Sequence, residues 1–264
     1  MRAITLMFHD VVPDNRWESS GFPGVAADLY KLDCQDFHRH LEAISCVPGR
    51  QVVTALDLLE TPIESPVLIT FDDGGVSAAL YIADMLEEFS WKGHFLVTAG
   101  RVGTEGFLNR AQIRALHQRG HIIGSHSYSH PLRMSNCSVE ELDREWKQSV
   151  HVLTDILGAP VRVASVPGGG YSRNVALTAA DAGIRVLFNS EPITRSHKVN
   201  DCLVLGRFGA KRGHSPQWSA AIVAGHSPTM LRDLVFWNTK KAAKFVLGDL
   251  WLRVRTKVLR DVSE

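Results

Sequence analysis

Seven short apolar runs, separated by stretches of helical periodicity, constrain this 264-residue chain more than any other feature. They are Ala3–Phe8, Pro66–Phe71, Gly93–Thr98, His121–Gly124, Val161–Ser165, Ile184–Phe188 and Leu203–Arg207. Each has strand length. Between them the apolar spacing predicts helices over 34–46, 76–90, 110–119, 139–157 and 173–182. Asn109 reads as an N-cap, and Ser138 with Glu141 reads as a capping box. Gly158 and Pro160 stop the longest helix. Repeated strand-then-helix units imply a parallel sheet with helices outside it. One unbroken series of seven favours a closed or nearly closed α/β barrel over two domains. No internal repeat, low-complexity tract or interdomain linker interrupts it.

A chain that is 45% hydrophobic and 22% charged can fill such a core. Its net charge of +1 argues against bulk electrostatic binding to nucleic acid. The cysteines (Cys34, Cys46, Cys137, Cys202) show no CxxC spacing and read as reduced thiols. No stretch approaches the roughly 20 apolar residues of a membrane-spanning helix. The run Ala3–Phe8 is too short for the apolar core of a signal peptide. The expected location is therefore the cytoplasm.

Two segments carry the chemistry. Thr70–Gly74 reads TFDDG and His126–His130 reads HSYSH. Together they offer two adjacent carboxylates and two imidazoles spaced i, i+4. That set can hold one divalent metal and leave a carboxylate over as a base, which points to a metal-dependent hydrolase. Successive side chains on an extended chain point opposite ways, so Asp72 and Asp73 meet different partners. A single helical turn would present both histidines on one side. Both segments, and Val166–Tyr171, follow a predicted strand, the end at which barrels build active sites.

The two motifs, in this order and some fifty residues apart, resemble those of the NodB-type polysaccharide deacetylases (carbohydrate esterase family four). The resemblance covers roughly residues 3–207. It implies a distorted (β/α)7 TIM-like barrel that hydrolyses N-acetyl groups of sugars. Asp72 would be the general base. Asp73, His126 and His130 would bind one divalent metal, usually zinc, although the same ligands accept cobalt, nickel or manganese.

The chain also departs from that family. The third motif usually reads Arg-x-Pro-aromatic-Gly, and here the segment is Ser165-Val166-Pro167-Gly168-Gly169-Gly170-Tyr171. Ser165 stands where the arginine would steady the base, and Arg173 or Arg207 would have to reach in. Gly168 replaces the aromatic, which Tyr171 would restore from a shifted position. Pro167, Gly168, Gly169, Tyr171 and Arg207 are the expected substrate-binding residues. The late Leu-x-x-His, whose histidine is the family's general acid, is absent. His9, in Met7–Val11, and His214, in Arg212–Pro216, are the candidates to replace it. The Met7–Val11 opening also resembles that of deacetylases found with exopolysaccharide systems.

The expected organisation is a barrel over 1–228 and a basic amphipathic helical tail over 229–264, packed on or near it. Lysines and arginines lie beside Phe236, Trp237 and Trp251 in that tail. Such a surface suits helices closing the barrel, or peripheral contact with an anionic membrane face. The partner expected is an N-acetylated glycan or glycolipid. The competing readings are a small-amide hydrolase of the allantoinase-like type and a non-catalytic sugar-binding relative.

Overall fold

The structure is a computed structural model and describes residues 1–242. Its strands are β1 (Ile4–Phe8), β2 (Val11–Val12), β3 (Leu32–Asp33), β4 (Gln51–Val52), β5 (Pro66–Phe71), β6 (His94–Val97), β7 (Ile122–Ser125), β8 (Val163–Ser165), β9 (Val186–Phe188), β10 (His197–Val199), β11 (Cys202–Leu205) and β12 (Phe208–Gly209). One curled sheet runs in the order β10-β11-β9-β8-β7-β6-β5-β1-β12, with β4 also on β5; β2 and β3 pair separately. All its ladders are parallel except β10 on β11. The gap between its ends is partly bridged near the amino terminus. There Ala3 N–H donates to Thr194 O and Ser196 N–H to Met1 O.

The seven predicted strands are β1, β5, β6, β7, β8, β9 and β11. The short β4 and β12 and the polar, antiparallel β10 carry no apolar run and were not expected. The predicted helices occupy Cys34–Ser45, Arg110–Gln118, Val139–Leu157 and Arg173–Asp181. Asn109 and Ser138 both form full capping boxes, with Gln112 and Glu141. The helix expected over 76–90 is instead a π turn, Ala78–Ile82, running into Ala83–Glu88. A last helix covers residues 227–242; residues 243–264 of the predicted tail lie outside the described part. No helix among the described residues is long and apolar enough to cross a membrane. All four cysteines are unpaired.

Strand parity divides the core into two clusters. Along β5, Val67, Ile69 and Phe71 pack outward with the helix residues Phe37, Leu41 and Leu86. Leu68 faces inward with Leu96, Val163, Val186, Phe188, Leu203 and Leu205. Inward residues two positions further along each strand emerge at the carboxyl end of the barrel. This step carries Leu68 through Thr70 to Asp72, Val163 to Ser165, Leu205 to Arg207, and Ile122 through Gly124 to His126.

Candidate active site

Asp73 Oδ1 lies 3.4 Å from His126 Nε2 and 3.5 Å from His130 Nε2. These three residues form the one group among the described residues able to offer three ligand atoms to a metal ion, all within 4.8 Å of one another. His126 extends β7, its N–H donating to Val97 O at 2.8 Å. Beyond it the chain does not make the expected helical turn. Residues 126–130 form a loop in which Ser127 and His130 adopt positive φ, 63° and 61°. Glu145, on Val139–Leu157, holds that loop. Its Oε2 accepts from the N–H groups of Tyr128 and Ser129 at 2.9 and 2.8 Å, and its Oε1 from Ser129 Oγ at 2.6 Å. Asp73 also has positive φ, 75°, so two of the three potential ligands hold a backbone conformation rare outside glycine.

The second half of the site is fully enclosed. Arg207 is 0% exposed and grips both oxygens of Asp72, Nη1 donating to Oδ1 and Nη2 to Oδ2, each at 2.7 Å. Its Nε donates to Asn189 O at 2.8 Å, and its guanidinium lies 5.7 Å from the Phe188 ring centroid. Of the two expectations for Arg207, contact with substrate and reaching in to steady the base, the structure shows the second: it is the counter-ion of Asp72, because residue 207 continues the inward face of β11. Arg173, the other candidate, is exposed. Ser165 Oγ donates to Asp72 Oδ1 at 2.9 Å and lies 2.6 Å from His126 Nδ1. The single hydroxyl hydrogen goes to Asp72, so His126 Nδ1–H must be the donor to Ser165. This leaves His126 Nε2 with a free lone pair on the Asp73 side.

The electrostatics follow from these contacts. Burial raises the Asp72 carboxyl, but Arg207 and His126 outweigh it and hold the group well below the carboxylate range. Asp73 is likewise lowered, burial being outweighed by the His130 hydrogen bond and the surrounding imidazoles. Burial pushes His126 down to about 4. Burial also acts on His130, but Asp73 overrides it and raises the imidazole above its usual value.

His9 continues the inward parity of Met7 on β1. It lies close enough that a charge on it lowers the pKa values of Asp72 and Asp73. Its ring packs 4.9 Å from Tyr30, and its Nδ1 is buried with no hydrogen-bond partner among the described residues. His214 packs 4.5 Å from the Trp218 ring centroid, with its carbonyl accepting from His40 Nε2. Burial and the neighbouring Lys211 push His214 down to about 4.

The glycine run has a steric cause. Gly168 has φ 59°, and a Cβ there would come within 2.9 Å of Leu132 O. Gly169 has φ 70° and lies under the Trp237 ring, 2.7 Å from where a Cβ would be. An aromatic at 168 therefore cannot be accommodated. Pro167 is buried, and Tyr171 lines an outer cavity with its hydroxyl 2.9 Å from His197 Nε2. Parity along β8 and β11 is the signal that could have paired Ser165 and Arg207 with Asp72 in advance. Glu145 carries no such signal, since it looks like any polar residue of an amphipathic helix.

Residues 60–187 match the family model described as polysaccharide deacetylase. Chitin deacetylase 1 of Cryptococcus neoformans is 28% identical over 129 residues, 48% of this chain and 26% of its own length. The peptidoglycan-N-acetylmuramic acid deacetylase PdaC of Bacillus subtilis is 28% identical over 148 residues, 55% of this chain and 31% of its own. The family model and these relatives show a likeness to polysaccharide deacetylases over about half of the chain. The chain spans less than half the length of the curated relatives it matches. Among solved structures, a Bacillus cereus polysaccharide deacetylase matches with TM-score 0.70 and 16% identity, covering 84% of this chain and 69% of that one. IcaB from Ammonifex degensii matches with TM-score 0.68 and 20% identity, covering 84% and 97%. These two share the barrel fold.

Proposed function

We propose that this protein is a divalent-metal-dependent hydrolase that removes N-acetyl groups from amino sugars of a glycan or glycolipid. The observation that carries the reading is the convergence of Asp73, His126 and His130 beside a carboxylate kept ionised by Arg207. Ligand atoms around a tetrahedral zinc with bonds near 2.1 Å lie about 3.4 Å apart. The Asp73 oxygen stands 3.4 and 3.5 Å from the two imidazole nitrogens, and all three ligand atoms lie within 4.8 Å of one another, so the donor set suits such an ion. A bound divalent ion would supply Lewis acidity, lowering the pKa of water to about 7 and polarising the acetamide carbonyl.

The chain's own groups do the rest. Asp72 Oδ1 already accepts from Arg207 and Ser165, whereas Oδ2 accepts only from Arg207. Oδ2 is therefore the oxygen with a lone pair left to take the proton of the attacking water. Arg207 and Ser165 hold that carboxylate in one orientation, which confines the transfer to one direction. His9 protonates the departing amine. Its charge acts on both Asp72 and Asp73, whereas burial and Lys211 disfavour a charge on His214. The Met7–Val11 opening supports placing the enzyme with exopolysaccharide-associated deacetylases.

The test is acetate release from N-acetylglucosamine oligomers by zinc-loaded protein, with Asp72→Asn and His126→Ala alongside. Release that both variants lose sustains the reading. Zinc bound at one equivalent with no acetate released from oligomers, monosaccharides or glycolipids would overturn it.

A further inference from the structure

The helix over residues 227–242 lies across one side of the barrel mouth and leaves a cavity of about 350 Å³ that the proposed chemistry does not use. Met7 and Arg207 line part of it, so the cavity adjoins the group that clamps Asp72. Lys211, Arg232 and Lys240 line it as well, against a single carboxylate, Asp233. That carboxylate is already engaged: Asp233 Oδ2 accepts from Trp218 Nε1 at 3.0 Å, and Oδ1 lies 3.7 Å from Arg232 Nε. Lys211 Nζ lies 4.6 Å from the Phe236 ring centroid, and burial with the nearby Lys240 lowers its pKa.

Lys211 is half-buried beside Lys240, whereas the Arg232 side chain is 69% exposed, so charge repulsion in low-dielectric surroundings is felt chiefly at Lys211. A bound anion removes it. The space also offers unused hydrogen-bonding capacity. Trp237 Nε1 and His214 Nδ1, both on residues that line the cavity, are buried without a partner among the described residues. An indole N–H can only donate, so it suits an anion or a sugar oxygen.

We propose that this cavity is a phosphate subsite. Lys211, Arg232 and Lys240 bind a phosphate carried by the amino sugar while its acetamido group lies at Asp72 and Asp73. A phosphate monoester carries about −1.5 to −2 charge at neutral pH, which complements the cationic side chains lining the space. The inference rests on the deacetylase reading. The shared chemistry is the phosphate itself, whether of a soluble sugar phosphate or of a lipid-linked sugar.

The experiment compares kcat/KM of zinc-loaded full-length protein on N-acetylglucosamine 1-phosphate and on the uncharged methyl N-acetylglucosaminide. Lys211→Met and Lys240→Met are run in parallel. The expected result is a preference for the phosphate of roughly tenfold or more, shrinking toward one in both variants. Equal kcat/KM on the two substrates overturns the subsite and leaves the deacetylase reading intact. If neither substrate is hydrolysed, calorimetry on Asp72→Asn decides. Binding of the sugar phosphate that inorganic phosphate competes away, and that Lys211→Met weakens, sustains the subsite independently of the reaction; no binding overturns it. A third arm presents polyprenyl diphosphate-linked N-acetylglucosamine in phosphatidylcholine vesicles. Faster turnover there than on the soluble phosphate assigns the phosphate to a lipid carrier; slower turnover assigns it to the free sugar phosphate.

Discussion

Asp73 and His130 are brought to His126, at the end of β7, by two loops, whereas Asp72, Ser165 and Arg207 are held across the barrel interior by strand parity. The first group tolerates positive φ at two of its residues, and His130 is 22% exposed. The second is sealed, with Arg207 at 0% and every polar contact made to another buried group. Losing a loop ligand removes chemistry and little packing. Losing Asp72 or Arg207 leaves a buried charge without its partner, so fold and chemistry fail together.

The sharpest test of that contrast is Arg207→Met against His130→Ala. Breaking a buried ion pair by removing one partner costs about 3–5 kcal/mol. Arg207→Met should therefore lose that much in urea denaturation and lose acetate release as well. His130→Ala should lose zinc binding and activity while its metal-free stability stays within about 1 kcal/mol of the native apo protein. Equal destabilisation of the two would erase the distinction drawn between the halves.

A smaller effect is expected from pH. His94 is fully buried on the inner face below the clamp, 5.7 Å from the Phe188 ring centroid, and burial lowers it to about 4. The unfolded chain binds its proton near pH 6.5 and the native state does not, so lowering the pH favours unfolding. The loss grows by about 1.4 kcal/mol per pH unit from about 6.5 and levels off near 4, at no more than about 3.5 kcal/mol for this group. His94→Gln should flatten the fall in unfolding free energy between pH 6.5 and 4. An unchanged slope would mean that His94 is protonated in the native protein.

Smaller still is Ser165→Ala, the substitution that tests whether the halves communicate. It removes the link between His126 Nδ1 and Asp72 Oδ1. Loss of such an outer partner typically costs about 10–100-fold in metal affinity or activity. Zinc affinity by competition with a chromophoric chelator, read beside kcat, checks this. Unchanged zinc affinity with lowered kcat would confine Ser165 to the base.

Much of this was legible because it is local. Seven apolar runs became seven strands, and Asn109 and Ser138 capped the helices they preceded. The TFDDG and HSYSH segments placed Asp73, His126 and His130 within ligand distance of one another. The bend at His126–His130 was misread as a helical turn, since i, i+4 spacing does not reveal that Glu145 captures the loop's N–H groups.

The sequence by itself determined the strand–helix series and the residue types at the strand ends, because periodicity and capping act over a few residues. Only the tertiary structure decided that Arg207 meets Asp72 across 135 residues, that Ser165 links the two halves, and that Trp237 lies on Gly169. Parity says which face a side chain takes. Sheet curl and closure, which depend on every strand at once, choose what it meets there.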